Sequence, residues 1–330
     1  MRSLRSTARP LAWLSDQIDA DERRLLVQSV VVGVVVWAFV ATLKWCVHMG
    51  ISATGALLRW APHVSLVWVP LILGAVCVAY VVKFRQTTVY YRGADDRLHP
   101  LEAVEGDGLE RAIALYFASE PTLERTLLGT QGLEARWRLP TFSLALRKMV
   151  ASFLTLSSGG AGGLEASVTL VGESTAAGLF KPRSFSVGRP LTARDSWLSR
   201  RLQGARDWWR ASQPEDLQAA QLCGIAAAIS TLLGTPFAAA FFAIEVIYRR
   251  RPIVDRLIYA LVSALIAFFM NHLVTGTHSA FIKVSAEPPL YVGRYYLGLA
   301  AMAVSMGLLS IGFRALRAWA DSAFHTRFAH

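Results

Sequence analysis

With 330 residues, 54% of them hydrophobic and only 17% charged, and a mean hydropathy of +0.39, the chain is too apolar for an ordinary soluble domain, where about 25% of residues carry charge. Its net charge of +11 does not imply nucleic acid, because basic membrane proteins concentrate Lys and Arg in their cytoplasmic loops. Cys46, Cys77 and Cys223 all lie in apolar runs without metal-ligand spacing; they exclude a disulfide framework and read as small buried hydrophobes.

Taken in chain order, residues 1–24 are mixed in charge, hold Pro10 and lack an apolar core, so they are expected to be a cytoplasmic N-terminal segment and not a cleaved signal. Within them 15–24 reads as a short polar helix with Ser15 as its cap. The membrane region is expected over 25–330. Its long apolar runs are 25–47, broken only by Lys44, then 64–82, 256–274 and 295–313. Each is long enough, with tilt, for a bilayer core that needs about 20 residues. Residues 99–137 are polar and partly acidic, and are placed at a membrane face. A short helix is predicted over 109–117, and 118–138 reads as an insertion.

The middle of the chain is punctuated. An apolar helix over 141–156 carries Arg147 and Lys148 and ends in Ser157, Ser158, Gly159, Gly160, Ala161, Gly162 and Gly163. A second helix is predicted over 166–180. After a basic loop at 181–211, an Ala-rich helix over 217–233 meets Gly234, Thr235 and Pro236, and resumes over 237–248. Pro236 suits the first turn of the resumed helix, where its missing N–H has no partner to lose. Broken helices at membrane depth are tolerated where protein or a polar cavity satisfies the freed backbone, and they point to a transport site. The 181–211 loop holds eight Lys and Arg against Asp195 and Asp207, and Arg249, Arg250 and Arg251 form a second basic cluster. Both are expected in the cytoplasm, with anionic lipid as a possible contact.

Glu165 is the sharpest single signal. It follows the glycine run at a helix start, where unpaired N–H groups and the positive dipole end favour an anion. One reading makes it a gate whose carboxylate competes with a diffusing anion for that place. The other makes it a first-turn glutamate that complements the dipole; the cost of an ionisable group in lipid favours the first.

These segments resemble the CLC family of chloride channels and chloride–proton antiporters. Residues 159–167 resemble its glycine run and G-(R/K)-E-G-P motif, here Gly163, Leu164, Glu165, Ala166 and Ser167; the glutamate and preceding glycine match, and the basic residue, second glycine and proline do not. Lys148 matches a lysine before the run. Gly224 with Ala226 to Ala228, Pro236-Phe237-Ala238 and Phe242-Ala243-Ile244-Glu245 resemble the next helix pair. The resemblance spans about residues 25–320. It implies an all-α integral membrane fold of tilted, broken helices, an anion as substrate, no cofactor, and a homodimer. It also implies an external gate at Glu165, backbone anion contacts at Gly163, Leu164 and Ala166, and a supporting field from Lys148.

Three departures follow. Asp107 and Gly108 stand where the family's G-S-G-I-P begins another anion-facing helix, and an aspartate there repels an anion unless protonated; a solvated loop aspartate is the alternative. Val246 replaces the second glutamate by which family exchangers relay protons, as in channel-type members, and Glu245 has Arg249 four residues on. The resemblance covers the first of two inverted repeats plus the first long helix of the second, so a second chain completing the pore is one expectation and a non-conducting subunit another. His48, His63, His99, His272, His278, His325 and His330 show no close metal spacing, and phosphate-loop and serine-hydrolase motifs do not occur. The chain is therefore expected not to be an enzyme, and an unrelated broken-helix transporter remains the rival of another class.

Overall fold

The computed structural model describes residues 20–59, 68–83, 88–92, 98–102, 108–117, 140–180, 209, 214–248, 254–276 and 293–328. The helices are α1 Ala20–Arg59, α2 Trp68–Lys83, α3 Leu109–Phe117, α4 Phe142–Ser157, α5 Glu165–Phe180, α6 Pro214–Leu233, α7 Pro236–Tyr248, α8 Val254–Thr275 and α9 Gly293–Phe328. One hairpin joins them: β1 Thr88–Arg92 pairs antiparallel with β2 Leu98–Glu102, Thr88 opposite Glu102. The architecture is the expected helical one, and the hairpin is an addition in the polar stretch. Residues 1–19, Asp107, the 118–138 segment, the 181–211 loop apart from Trp209, and Arg249 to Arg251 lie outside the described residues.

Punctuation places the helix ends. Ser158 caps α4, and Gly159 follows at φ +90°, its N–H donating to Leu156 O. α7 starts at Pro236, as the ring's fixed φ and missing N–H allow. Ala20 to Arg24 are not a separate polar helix: they run unbroken into α1, which continues past the apolar run to Arg59. Asp21–Arg59, Glu215–Leu233, Asp255–Thr275 and Gly293–Ala320 contain windows long and apolar enough to cross a membrane. α2 and α7 are apolar but shorter, and α4 and α5 have 16 residues each, so these four fall short of the roughly 20 needed for a perpendicular crossing.

α1 to α8 belong to one compact unit, residues 1–280, and α9 to a second, residues 281–330. The first unit is built around α6, buried along most of its length between α5, α8, α1 and α7. Lipid gives no hydrophobic drive between helices, so close packing and hydrogen bonds must hold them. The closest approach is between α5 and α6. A Cβ on Gly172 would overlap Gly224 O and reach 2.8 Å from Ala228 Cβ, and one on Gly224 would overlap Gly172 O in return. α8 joins α6 through Ser263 Oγ to Cys223 O at 3.0 Å and Ser230 Oγ to Ala264 O at 2.7 Å. At one end of the unit Arg24 donates to Asp216 at 2.7 Å, and the Trp209 ring stacks on Phe180. Towards the other end Thr54 Oγ1 of α1 donates to Ser157 O at the close of α4.

Gly172→Val puts three extra carbons into the α5–α6 contact. We expect a loss of roughly 3 kcal/mol, the upper part of the usual overpacking range, read as a lower unfolding temperature in detergent. Gly298→Val, with open space around it, should change stability far less.

Candidate functional site

The residues that bear chemistry gather where two short helices begin. α5 opens at Glu165 directly after the glycine-rich break. Leu164, buried, supplies the first helical acceptor, its carbonyl taking the Val168 N–H at 2.8 Å. The opening turn of a helix offers N–H groups that have no intrahelical acceptor, together with the positive dipole end. The Glu165 side chain is exposed and folds back over this start, so that Oε2 occupies the space where a Cβ on Gly163 would sit. Glycine at 163 is what leaves room for that carboxylate.

α3 begins at Leu109, after Gly108. The φ of Gly108 is +106°, a conformation that favours glycine, and its carbonyl accepts the Ala112 N–H at 3.0 Å. The point where its Cβ would stand is 3.0 Å from Ala166 O, 3.2 Å from Leu170 Cβ and 3.2 Å from Lys148 Cε. So the start of α3, the first two turns of α5 and the end of the buried Lys148 side chain on α4 meet at one place. Two positive helix ends and an ammonium-bearing chain there make a local field that attracts a small anion.

The structure thus brings Gly108, Lys148 and Ala166 together; Gly163, Leu164 and Glu165 directly precede Ala166 in the chain, and Asp107 lies outside the described residues. Val246 is half-buried on α7, between exposed Glu245 and buried Ile247. Among the described residues, no group of three or more His, Cys, Asp and Glu is placed to hold a metal ion.

Two polar links escape a reading of the sequence. Glu173 is fully buried on α5; Gln221 Nε2 of α6 donates to its Oε1 at 2.6 Å and Ser174 Oγ to its Oε2 at 2.8 Å. Gln221 also reaches Leu115 O in the last turn of α3 at 3.4 Å. One turn earlier on α6, Gln218 Oε1 accepts from Arg256 of α8 at 2.8 Å, and the same guanidinium donates to the Tyr116 hydroxyl of α3 at 2.9 Å. The available signal was a carboxylate eight residues beyond Glu165 in an otherwise small and apolar run, a placement that is costly in lipid.

A family model described as Voltage gated chloride channel matches residues 121–330. The chain belongs to this family. Among solved structures, its fold is similar to that of a CLC-type fluoride/proton antiporter, with a TM-score of 0.57 at 16% identity, covering 95% of this chain and 62% of that one. At that identity the likeness is one of fold. A slow cyanobacterial Cl−/H+ antiporter aligns with a TM-score of 0.49 at 17% identity, covering 80% of this chain and 50% of that one. The chain therefore spans less than two thirds of either structure's length, and no curated protein matches the sequence. Membership of the voltage-gated chloride channel family, together with the apolar helices, makes this an integral membrane protein.

Removing the Lys148 charge should weaken anion binding where α3 and α5 meet. A unit charge within about 10 Å at an effective dielectric near 20 is worth tenfold or more in affinity. We expect Lys148→Met to lose about that factor in a calorimetric titration with chloride; an unchanged affinity would show that this ammonium is not felt there.

Proposed function

We propose that this chain provides an anion pathway across a membrane, gated by Glu165. The observation that carries the reading is the carboxylate folded over Gly163 at the start of α5, a helix whose first turns adjoin the start of α3 and Lys148. In that position it occupies the place an incoming anion would take. Swinging out or taking a proton would vacate the site, and the positive helix ends would then hold a halide by its charge. Gly163, Leu164 and Ala166 supply backbone at the site and Gly108 its neighbouring helix start. The activity is transport and involves no bond-making chemistry, so no enzymatic role is assigned.

Val246 supports passive conduction: a valine side chain carries no proton, whereas the family's exchangers often place a glutamate there. The ion is chloride or fluoride, the two named for the similar structures. Family resemblance favours a homodimer in a bacterial-type inner or plasma membrane, and the basic 181–211 loop favours a cytoplasmic N-terminus by charge bias. A second reading is a CLC-like membrane subunit that does not conduct on its own.

The deciding measurement is anion efflux from liposomes containing this chain, beside Glu165→Gln. A neutral amide cannot be released by taking a proton, nor is it held at the positive helix end as a carboxylate is, so the variant should change the rate severalfold. Efflux identical in both would remove Glu165 as the gate, and no efflux from folded protein would favour the non-conducting reading. With chloride flowing down its gradient, passive conduction predicts no uphill proton movement; measured proton uptake would make the chain an exchanger.

A further inference from the structure

Glu173 is a carboxyl group that the proposed gate does not use. It stands eight residues after Glu165 on α5, with Thr169 between them at four-residue spacing, so the three lie on successive turns with only a slow drift in direction. Thr169 Oγ1 donates to Glu165 O at 2.8 Å. Glu173 has no exposed surface, and donors from α6 and from its own helix reach both its oxygens. A charged carboxylate in that setting loses its hydration and is held by a few fixed dipoles.

We propose that Glu173 is an intramembrane proton-binding site whose charge sets how tightly the start of α5 holds an anion. The second half of this rests on the anion-pathway reading; the first does not. Eight residues at about 1.5 Å each place Glu173 roughly 12 Å from the helix start. Ionised, it offsets part of the positive field there; protonated, it does not. At that separation one charge changes anion affinity about tenfold at an effective dielectric near 20. On the elements packed against α5, the buried or half-buried titratable groups are Lys148 and Arg147 on α4, Arg111 and Tyr116 on α3, Asp216 and Cys223 on α6, and Arg24, Lys44 and Cys46 on α1. Only variants at Glu173 and its partner therefore isolate its contribution.

The test is infrared difference spectroscopy of the whole chain in liposomes during a pH titration. A protonated carboxyl carries a carbonyl stretch that a carboxylate lacks. We expect a band that titrates, is present in Glu165→Gln and is missing in Glu173→Gln. Gln221→Met keeps the carboxyl but removes the amide bonded to Oε1, so it should move the band, which serves where Glu173→Gln folds poorly. A titrating band unchanged in both variants overturns the proton site, as does the lack of any titrating band dependent on Glu173. Chloride affinity measured in Glu165→Gln, where the gate carboxyl is gone, should vary with pH by up to about tenfold and lose that variation when Glu173→Gln is added; equal pH dependence in both overturns the coupling. If none of the proteins carries anions, the conduction reading falls while the infrared band still decides the proton site.

Discussion

The backbone contact between Gly172 and Gly224 is the constraint on which the rest of the first unit depends. Two helices in lipid gain nothing from hiding apolar surface from each other, so their association rests on how closely they approach. Here each glycine lies where the other helix's carbonyl leaves no room for a side chain. That closeness puts Gln221, three residues before Gly224, within reach of Glu173, one residue after Gly172. It also fixes the direction of α5, and with it the position at which Glu165 begins the helix. The hydrogen bonds from Ser230 and Ser263 then seat α8 on the far side of α6. Packing of small residues thus comes first, and the polar links follow from it.

A helix that starts inside a membrane protein leaves its first N–H groups for something else to satisfy. α5 and α3 both begin next to protein, one at Glu165 and one after Gly108, and their starts adjoin. The carboxylate of Glu165, folded over Gly163, neutralises the same positive end that would otherwise draw an anion. On the proposed reading, a carboxylate lying over the helix start competes with an incoming anion, because each offers a single negative charge to the same N–H groups.

The sequence discloses these breaks well and their cross-links poorly. Gly159 to Gly163 and Gly234 to Pro236 act through local backbone preference, so the bounds of α4, α5, α6 and α7 could be read within a few residues. Gly108 likewise preceded a helix read as 109–117 and found as Leu109–Phe117. The β1–β2 hairpin was missed because pairing Thr88 with Glu102 is a nonlocal choice, and residues about 99 to 102 read only as polar. α1 extends beyond its apolar run to Arg59, across Ser52, Thr54 and Gly55, whose low helix propensity gave no sign of it. That Gly108 touches Lys148 and Ala166 depends on three separate helices, and no spacing within the chain encodes it.

Glu173 shows the same divide at a single position. Its spacing from Glu165 is written in the sequence, but its burial, and Gln221 as its donor, emerge only when α6 is laid against α5. Gln221 is also the link from that carboxylate to the last turn of α3 through Leu115 O. The two helices whose starts meet beside Lys148 are consequently joined again further along, by one amide that spans α3, α6 and α5. A change in charge at Glu173 would be felt at the start of α5 in two ways, through the field along the helix and through the strength of this shared bond. Both act in a region that is rigid by packing, where small displacements are not absorbed by solvent. The α5–α6 glycine contact therefore supplies the stiffness through which a charge change at Glu173 would reach the start of α5.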